Sequence, residues 1–226
     1  MPSSTVNMPR PEIVEIRRTT RSGFSVVSND SDKSKLFIAC HERKDTPDII
    51  IRDSTNAGPE AHGPYVAQAQ LSSHGKDMKV FVGEGKDVHE WDWDIVRHSK
   101  EKNGVFRRSV DAFRFECTEP AATLEARSSK RRLVWSSHDK GFELTDETTG
   151  SAVLTTFWDK STLGSVGVGK EMGRLVWHQS CSRQVVLAAL VSIMGIVERK
   201  RRTMQQVSRA VAWQAGPGSG PVGNSG

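Results

Sequence analysis

Residues 183–214 read RQVVLAALVSIMGIVERKRRTMQQVSRAVAWQ, and their reading decides the fold. From Val185 to Val197 the run is apolar, with only Ser192 and Gly195 interrupting it. Placed at about 100° per residue, the large side chains cover roughly two-thirds of a helix circumference. These are Val185, Val186, Leu187, Leu190, Val191, Ile193, Met194, Ile196 and Val197. Ala188, Ser192 and Gly195 fall together on the remaining third. Ser180 or Ser182 can cap the start, and the Arg199–Arg202 cluster suits a helix end by dipole. The pattern predicts a helix over about 183–202 that must be surrounded, by protein or by lipid.

Length separates the two surroundings. At about 1.5 Å per residue the run spans roughly 20 Å, against a hydrocarbon core of about 30 Å. Arg183 and Glu198-Arg199-Lys200 bound it closely. The expectation is a buried core helix, with Val186, Leu187, Leu190, Ile193, Met194 and Val197 in the core. The alternative is a tail anchor through residues 185–197. In the core reading, the small stripe marks where the surrounding sheet comes closest.

The sheet is legible upstream. Short apolar runs are punctuated by turn residues: 36–40, 49–52, 65–71, 79–82, 91–96, 105–108, 113–117, 133–136, 142–145, 153–158, 165–168 and 174–178. Phe113, Phe115 and Cys117 share a face opposite Arg114 and Glu116, and Trp91, Trp93 and Ile95 alternate with Asp92 and Asp94. Period-two alternation marks strands with one buried face. Gly, Pro, Asn and Asp fill the gaps. The segment 183–202 apart, no helical period of ten residues appears, which excludes a doubly wound α/β fold. The expected architecture is a mainly β, closed antiparallel barrel of about twelve strands around the C-terminal helix. Residues 1–22 are expected as a disordered arm with a short ordered piece near 13–16, residues 23–207 as the barrel, and 208–226 as a Gly/Pro-rich tail.

Charge narrows the function. The 226 residues carry 32 Lys plus Arg and 27 Asp plus Glu. Arg183, Arg199, Lys200, Arg201, Arg202 and Arg209 face only Glu198 in the last segment, so the basic excess sits there. A nucleic-acid-binding face would spread its excess across a domain, so no specific nucleic acid is expected. Cys40, Cys117 and Cys181 are odd in number and widely spaced, which points to a reducing compartment and no disulfide framework. The N-terminal residues lack an apolar signal region.

Motifs resembling catalytic or ligand sites have plainer readings. Gly164–Lys170 (GSVGVGK) fits the start of a phosphate-binding loop. Glu171 follows where Ser or Thr is required, and strand-like 174–177 stands where a helix must. Trp93-Asp94 and Trp158-Asp159 resemble the dipeptide of propeller blades, but they lie 65 residues apart, too far for that repeat. The near-repeat of Arg132–Trp135 and Arg174–Trp177 indicates two strands in similar environments. His178 and Cys181 lack the second pair that a zinc site needs. Ser136, Ser137, His138 and Asp139 are sequence neighbours without a nucleophile elbow. Asp92 and Asp94 read as a solvated strand face. No cofactor and no metal are expected.

The segments AVLTTFWDK (152–160), GRLVWH (173–178) and QVVLAALVSIMGIVERKRR (184–202) resemble the tubby C-terminal-like superfamily, which includes tubby domains, phospholipid scramblases and LURP-one-related proteins. The resemblance implies a barrel enclosing a central helix. It also implies a non-enzymatic role at membranes, since tubby domains bind phosphoinositides. The basic lipid-contacting positions of tubby domains and the acidic calcium segment of scramblases have no match here, so none is carried across.

Arg199, Lys200, Arg201 and Arg202 are the candidate lipid-binding residues. The plain reading is a solvated helix end where the chain leaves the barrel; the functional readings are an anionic-membrane contact and a nuclear localisation signal. The expected function is non-catalytic binding of anionic lipid headgroups or a protein partner. The expected location is cytoplasmic, with peripheral-membrane and nuclear placements as alternatives. The sequence leaves the oligomeric state open.

Overall fold

The structure, a computed structural model, describes residues 12–20, 23–28, 36–41, 47–53, 63–73, 76–83, 93–103, 108–119, 129–158 and 171–214. Twelve strands precede one helix: β1 (Glu12–Arg18), β2 (Gly23–Ser28), β3 (Leu36–Cys40), β4 (Ile49–Asp53), β5 (Tyr65–Leu71), β6 (Met78–Val82), β7 (Asp94–Asn103), β8 (Arg108–Glu119), β9 (Ser129–His138), β10 (Gly141–Asp146), β11 (Ala152–Trp158), β12 (Glu171–Trp177) and α1 (Arg183–Gln214). Each strand pairs antiparallel with its sequence neighbours, and β1 pairs with β12 to close the barrel. A meander of this kind leaves no free sheet edge.

The closing strand corrects the expected arm. Residues 12–18 are bonded on both sides, with Val14 opposite Leu175 on β12 and Ser28 on β2. Val14 and Ile16 face the core. The prolines and the arginines of this segment had suggested an unpaired chain, but Glu15 and Arg17 simply take outward positions and pair with each other at 2.8 Å. Residues 1–11 lie outside the described residues.

The near-repeat falls as expected on two strands in similar environments, since Leu133 and Trp135 on β9 and Leu175 and Trp177 on β12 are all buried. Phe113, Phe115 and Cys117 are likewise buried. The alternation read through Trp93 and Ile95 is reversed: Val96 is fully buried, while Ile95 is 48% exposed. Pairing decides this, because Val96 lies opposite Met78 and shares its inward face. The runs 105–107 and 165–168 lie outside the described residues.

Every residue of α1 from Leu187 to Glu198 is buried, which covers more than three turns and so every face of the helix. The core that encloses it draws on all twelve strands, from Ile16 on β1 to Leu175 on β12. Leu187, Leu190, Ile193, Met194 and Val197 sit in that core as expected, and the half-buried Val186 packs against it. Ser182 caps the helix: its carbonyl accepts from Val186 N at 3.0 Å and its Oγ from Val185 N at 3.4 Å. Arg183 is ion-paired with Asp53 at the end of β4.

The small stripe lies where the sheet approaches. A Cβ on Gly195 would stand 2.6 Å from Met78 Sδ on β6, so only glycine fits without a shift. Ser192 meets Trp135, whose indole N–H donates to the serine Oγ at 2.9 Å.

The helix is longer than expected. It runs on to Gln214 instead of ending near residue 202, so residues 208–214 are helical and not part of a tail. The sequence from 203 to 214 holds neither Gly nor Pro, and the first such breaker is Gly216. No helix among the described residues is long and apolar enough to cross a membrane. The apolar run 185–197 has protein on every side, which argues against its use as a tail anchor.

Candidate functional site at the barrel mouth

α1 runs antiparallel to β4. Arg183 binds Asp53 at one end of that strand, and Arg202 binds Asp48 just before its other end. The helix therefore enters at one rim and leaves at the opposite one. The four candidate residues Arg199, Lys200, Arg201 and Arg202 all lie at this exit.

Glu198 organises the exit. It is only 4% exposed, and its carboxylate accepts from Arg201 Nε and Nη2, both at 2.7 Å, and from Arg202 Nε at 2.8 Å. The i+3 and i+4 spacing brings both guanidinium groups onto one acid. Arg202 reaches further, donating to Asp48 Oδ1 at 2.6 Å and to the His41 carbonyl at 2.7 Å. Asp48 Oδ2 in turn accepts from Leu71 N at 2.7 Å. A buried carboxylate is stable only with such partners. Burial opposes the charge on Arg202, but the bonds to Glu198 and Asp48 outweigh it and its pKa is raised.

The other two cations are held differently. Arg199 donates through Nη2 to the Asp77 carbonyl at 2.6 Å, while its Nη1 is buried without a hydrogen-bond partner. Burial lowers its pKa, with Asp77 and Asp48 opposing. Lys200 Nζ lies 4.3 Å from the Phe142 ring centroid, a cation–π contact with the end of β10. Cys40 sits nearby, and burial first, then Glu198, pushes its thiol pKa up. Its side chain packs in the core of the barrel.

Beyond the mouth the helix is bare. Residues 203–210 are exposed, with Met204 at 53% and Val207 at 59%. Three apart, they share a helix face. The candidate lipid-binding cluster, whose plainer reading was a solvated helix end, is thus a set of half-buried side chains that touch the rim.

The remaining sequence candidates take other roles. His178 Nε2 lies 2.7 Å from Thr155 Oγ1, and Cys181 Sγ donates to the Gln179 carbonyl at 3.7 Å. No group of three metal-ligating side chains occurs among the described residues. His138 accepts from Lys140 N at 3.3 Å through Nδ1 and stands edge-on to Phe157. The glycine-rich Gly164–Lys170 lies outside the described residues, and Glu171 after it opens β12 and accepts from Arg174 at 2.7 Å.

Sequence reasoning missed Asp48, His41 and Asp77. Arg202 and Asp48 are 154 positions apart, and only the barrel brings them together. Compared with protein-family models, with curated proteins and with solved structures, the chain matches none.

Proposed function

We propose that this chain is a non-catalytic binding module that meets an anionic lipid surface with the part of α1 emerging from the barrel. The observation that carries the reading is the exposed pair Met204 and Val207, one and two turns beyond Arg199 and Lys200, on a helix with no acidic residue after Glu198. An exposed apolar face beside basic residues suits the interface of an anionic bilayer. Each basic residue near such a surface contributes about 1 kcal/mol. We assign the attraction to the cations of the exit, Arg199 to Arg202, together with the exposed Arg209, and the foothold to Met204 and Val207. The barrel interior is occupied by α1, so a ligand meets this protein at its mouth or on its outer wall. The tubby-like segments named above support the lipid class, and a cytoplasmic, membrane-peripheral location belongs to the same reading.

Vesicle co-sedimentation tests it, with phosphatidylcholine alone and with added phosphatidylserine, each at low and high salt. Binding to the anionic vesicles alone, weakened by salt and abolished in M204E/V207E, is the expected result. Equal binding to both vesicles, or an unaffected double variant, would overturn it.

A further inference from the structure

His98 on β7 stands between two carboxylates and the cations of the mouth. Its backbone N–H donates to Asp77 Oδ1 at 2.8 Å, and the carbonyl of Asp77 accepts from Arg199. Its ring lies 4.9 Å from Phe113, which meets Phe142 edge-on at 6.4 Å, and Phe142 is the ring beneath Lys200. Its Nε2 lies 2.8 Å from Asp111 Oδ1, and the imidazole is only 10% exposed.

Asp111 is a shared counter-charge. Lys76 Nζ lies 3.7 Å from the same oxygen, Lys100 stands opposite Asp111 across the β7–β8 pair, and Lys200 acts on it from α1. Burial alone would raise its pKa, but the bond from His98 and the charges of Lys76 and Lys200 outweigh it and hold the carboxyl below its ordinary value. An ionised carboxylate only accepts, so the neutral imidazole carries its hydrogen on Nε2 and donates it to Asp111. Nδ1 makes no hydrogen bond among the described residues, so it takes a second proton without breaking one. Among the described residues, the charged groups round the ring are therefore Lys76 and Asp77 ahead of β6, Lys100 and Asp111 on the β7–β8 pair, and Arg199 and Lys200 on α1.

Histidine is the side chain whose ordinary charge change falls between pH 5 and 8. A proton on His98 sets a full cation against Asp111, and the lysines that share this carboxylate lose part of their counter-charge. We propose that His98 is a proton switch, resting on the lipid reading above: its imidazolium neutralises Asp111 and turns more of the charge of Lys76 and Lys200 toward anionic headgroups. Adhesion then strengthens in mild acid.

Vesicles of phosphatidylcholine with phosphatidylglycerol, whose charge is constant over the range, test this at about pH 7.5 and about pH 5.5. The native chain is expected to bind about fivefold more tightly in acid, the equivalent of about 1 kcal/mol for one added charge near the surface. H98Q supplies a neutral donor and is expected to lose that gain. D111N removes the counter-charge and is expected to bind at pH 7.5 as the native chain does at pH 5.5, which keeps the switch testable should H98Q fail to fold. Without vesicles, the His98 Cε1 proton resonance of the native chain is expected to titrate across the same interval. An equal acid gain in H98Q, an unchanged affinity of D111N at pH 7.5, or a His98 resonance that stays in place would each overturn the switch. Native binding that ignores pH would overturn the switch and leave the lipid reading standing. No binding at either pH would overturn the lipid reading and the switch with it.

Discussion

Trp135 on β9 and Ser192 in the middle of the enclosed stretch of α1 are joined by a hydrogen bond of 2.9 Å inside the barrel. Both residues are fully buried. The serine hydroxyl accepts from the indole and donates to the Ala189 carbonyl at 3.1 Å, so the pair is satisfied. Sliding or rotating the helix breaks this bond, which makes it a register pin between helix and wall.

Removing one partner isolates the other. S192A leaves the Trp135 N–H buried without an acceptor and should cost about 1–3 kcal/mol in urea unfolding. W135F in the S192A background should cost less than the sum of the two single changes, since the unpaired donor is gone. Strict additivity would show that the bond contributes nothing.

Leu190 lies in the enclosed stretch of α1 and is almost completely buried. L190A should destabilise by about 2–5 kcal/mol through the cavity it leaves. L190R places an unpaired charge in the core and should abolish cooperative folding. Thermal unfolding followed by circular dichroism reads both, and an unchanged midpoint in L190R would contradict the enclosed helix.

Gly195 has room for no side chain next to Met78. G195L should destabilise by about 1–3 kcal/mol by overpacking, although leucine is the better helix former. Shortening the neighbour in G195L/M78A should recover part of the loss. Calorimetry on the three variants checks this.

Acid should weaken the contacts of Asp146 at the end of β10. Asp146 is buried and accepts from Arg131 Nε at 2.6 Å, and from the Thr148 and Thr149 amides. Burial alone would raise its pKa, but these bonds outweigh it and hold the carboxyl below its ordinary value. A depressed folded pKa means that the unfolded chain binds more protons in the window below about pH 4. Its contribution is therefore complete above that ordinary value and is lost as pH falls through the folded one. Unfolding free energies measured between neutral pH and pH 2 should fall, and D146N should flatten part of that slope.

The helix and the barrel were legible because two independent signals agreed. A run too short for a bilayer and apolar nearly all round needs a protein wall, and the upstream alternation supplies a sheet. β1 was hidden because Ile13 and Val14 are both apolar and break the period, although only Val14 faces the core. Ile95 misled for a similar reason, since pairing with β6 and not composition sets which face turns inward. At the mouth, the spacing of Glu198 to Arg201 and Arg202 was readable as i+3 and i+4 pairing. Asp48, His41 and Asp77 carried no local signal, because their role exists only once the barrel is closed.

Enclosure of α1 is the claim on which the mouth geometry depends, and native-state hydrogen exchange tests it residue by residue. Amides from Leu187 to Val197 should exchange only through global unfolding, with the free energy measured by denaturant, while those from Thr203 to Ala210 exchange through local fraying. Equal, rapid exchange along both halves of the helix would contradict it.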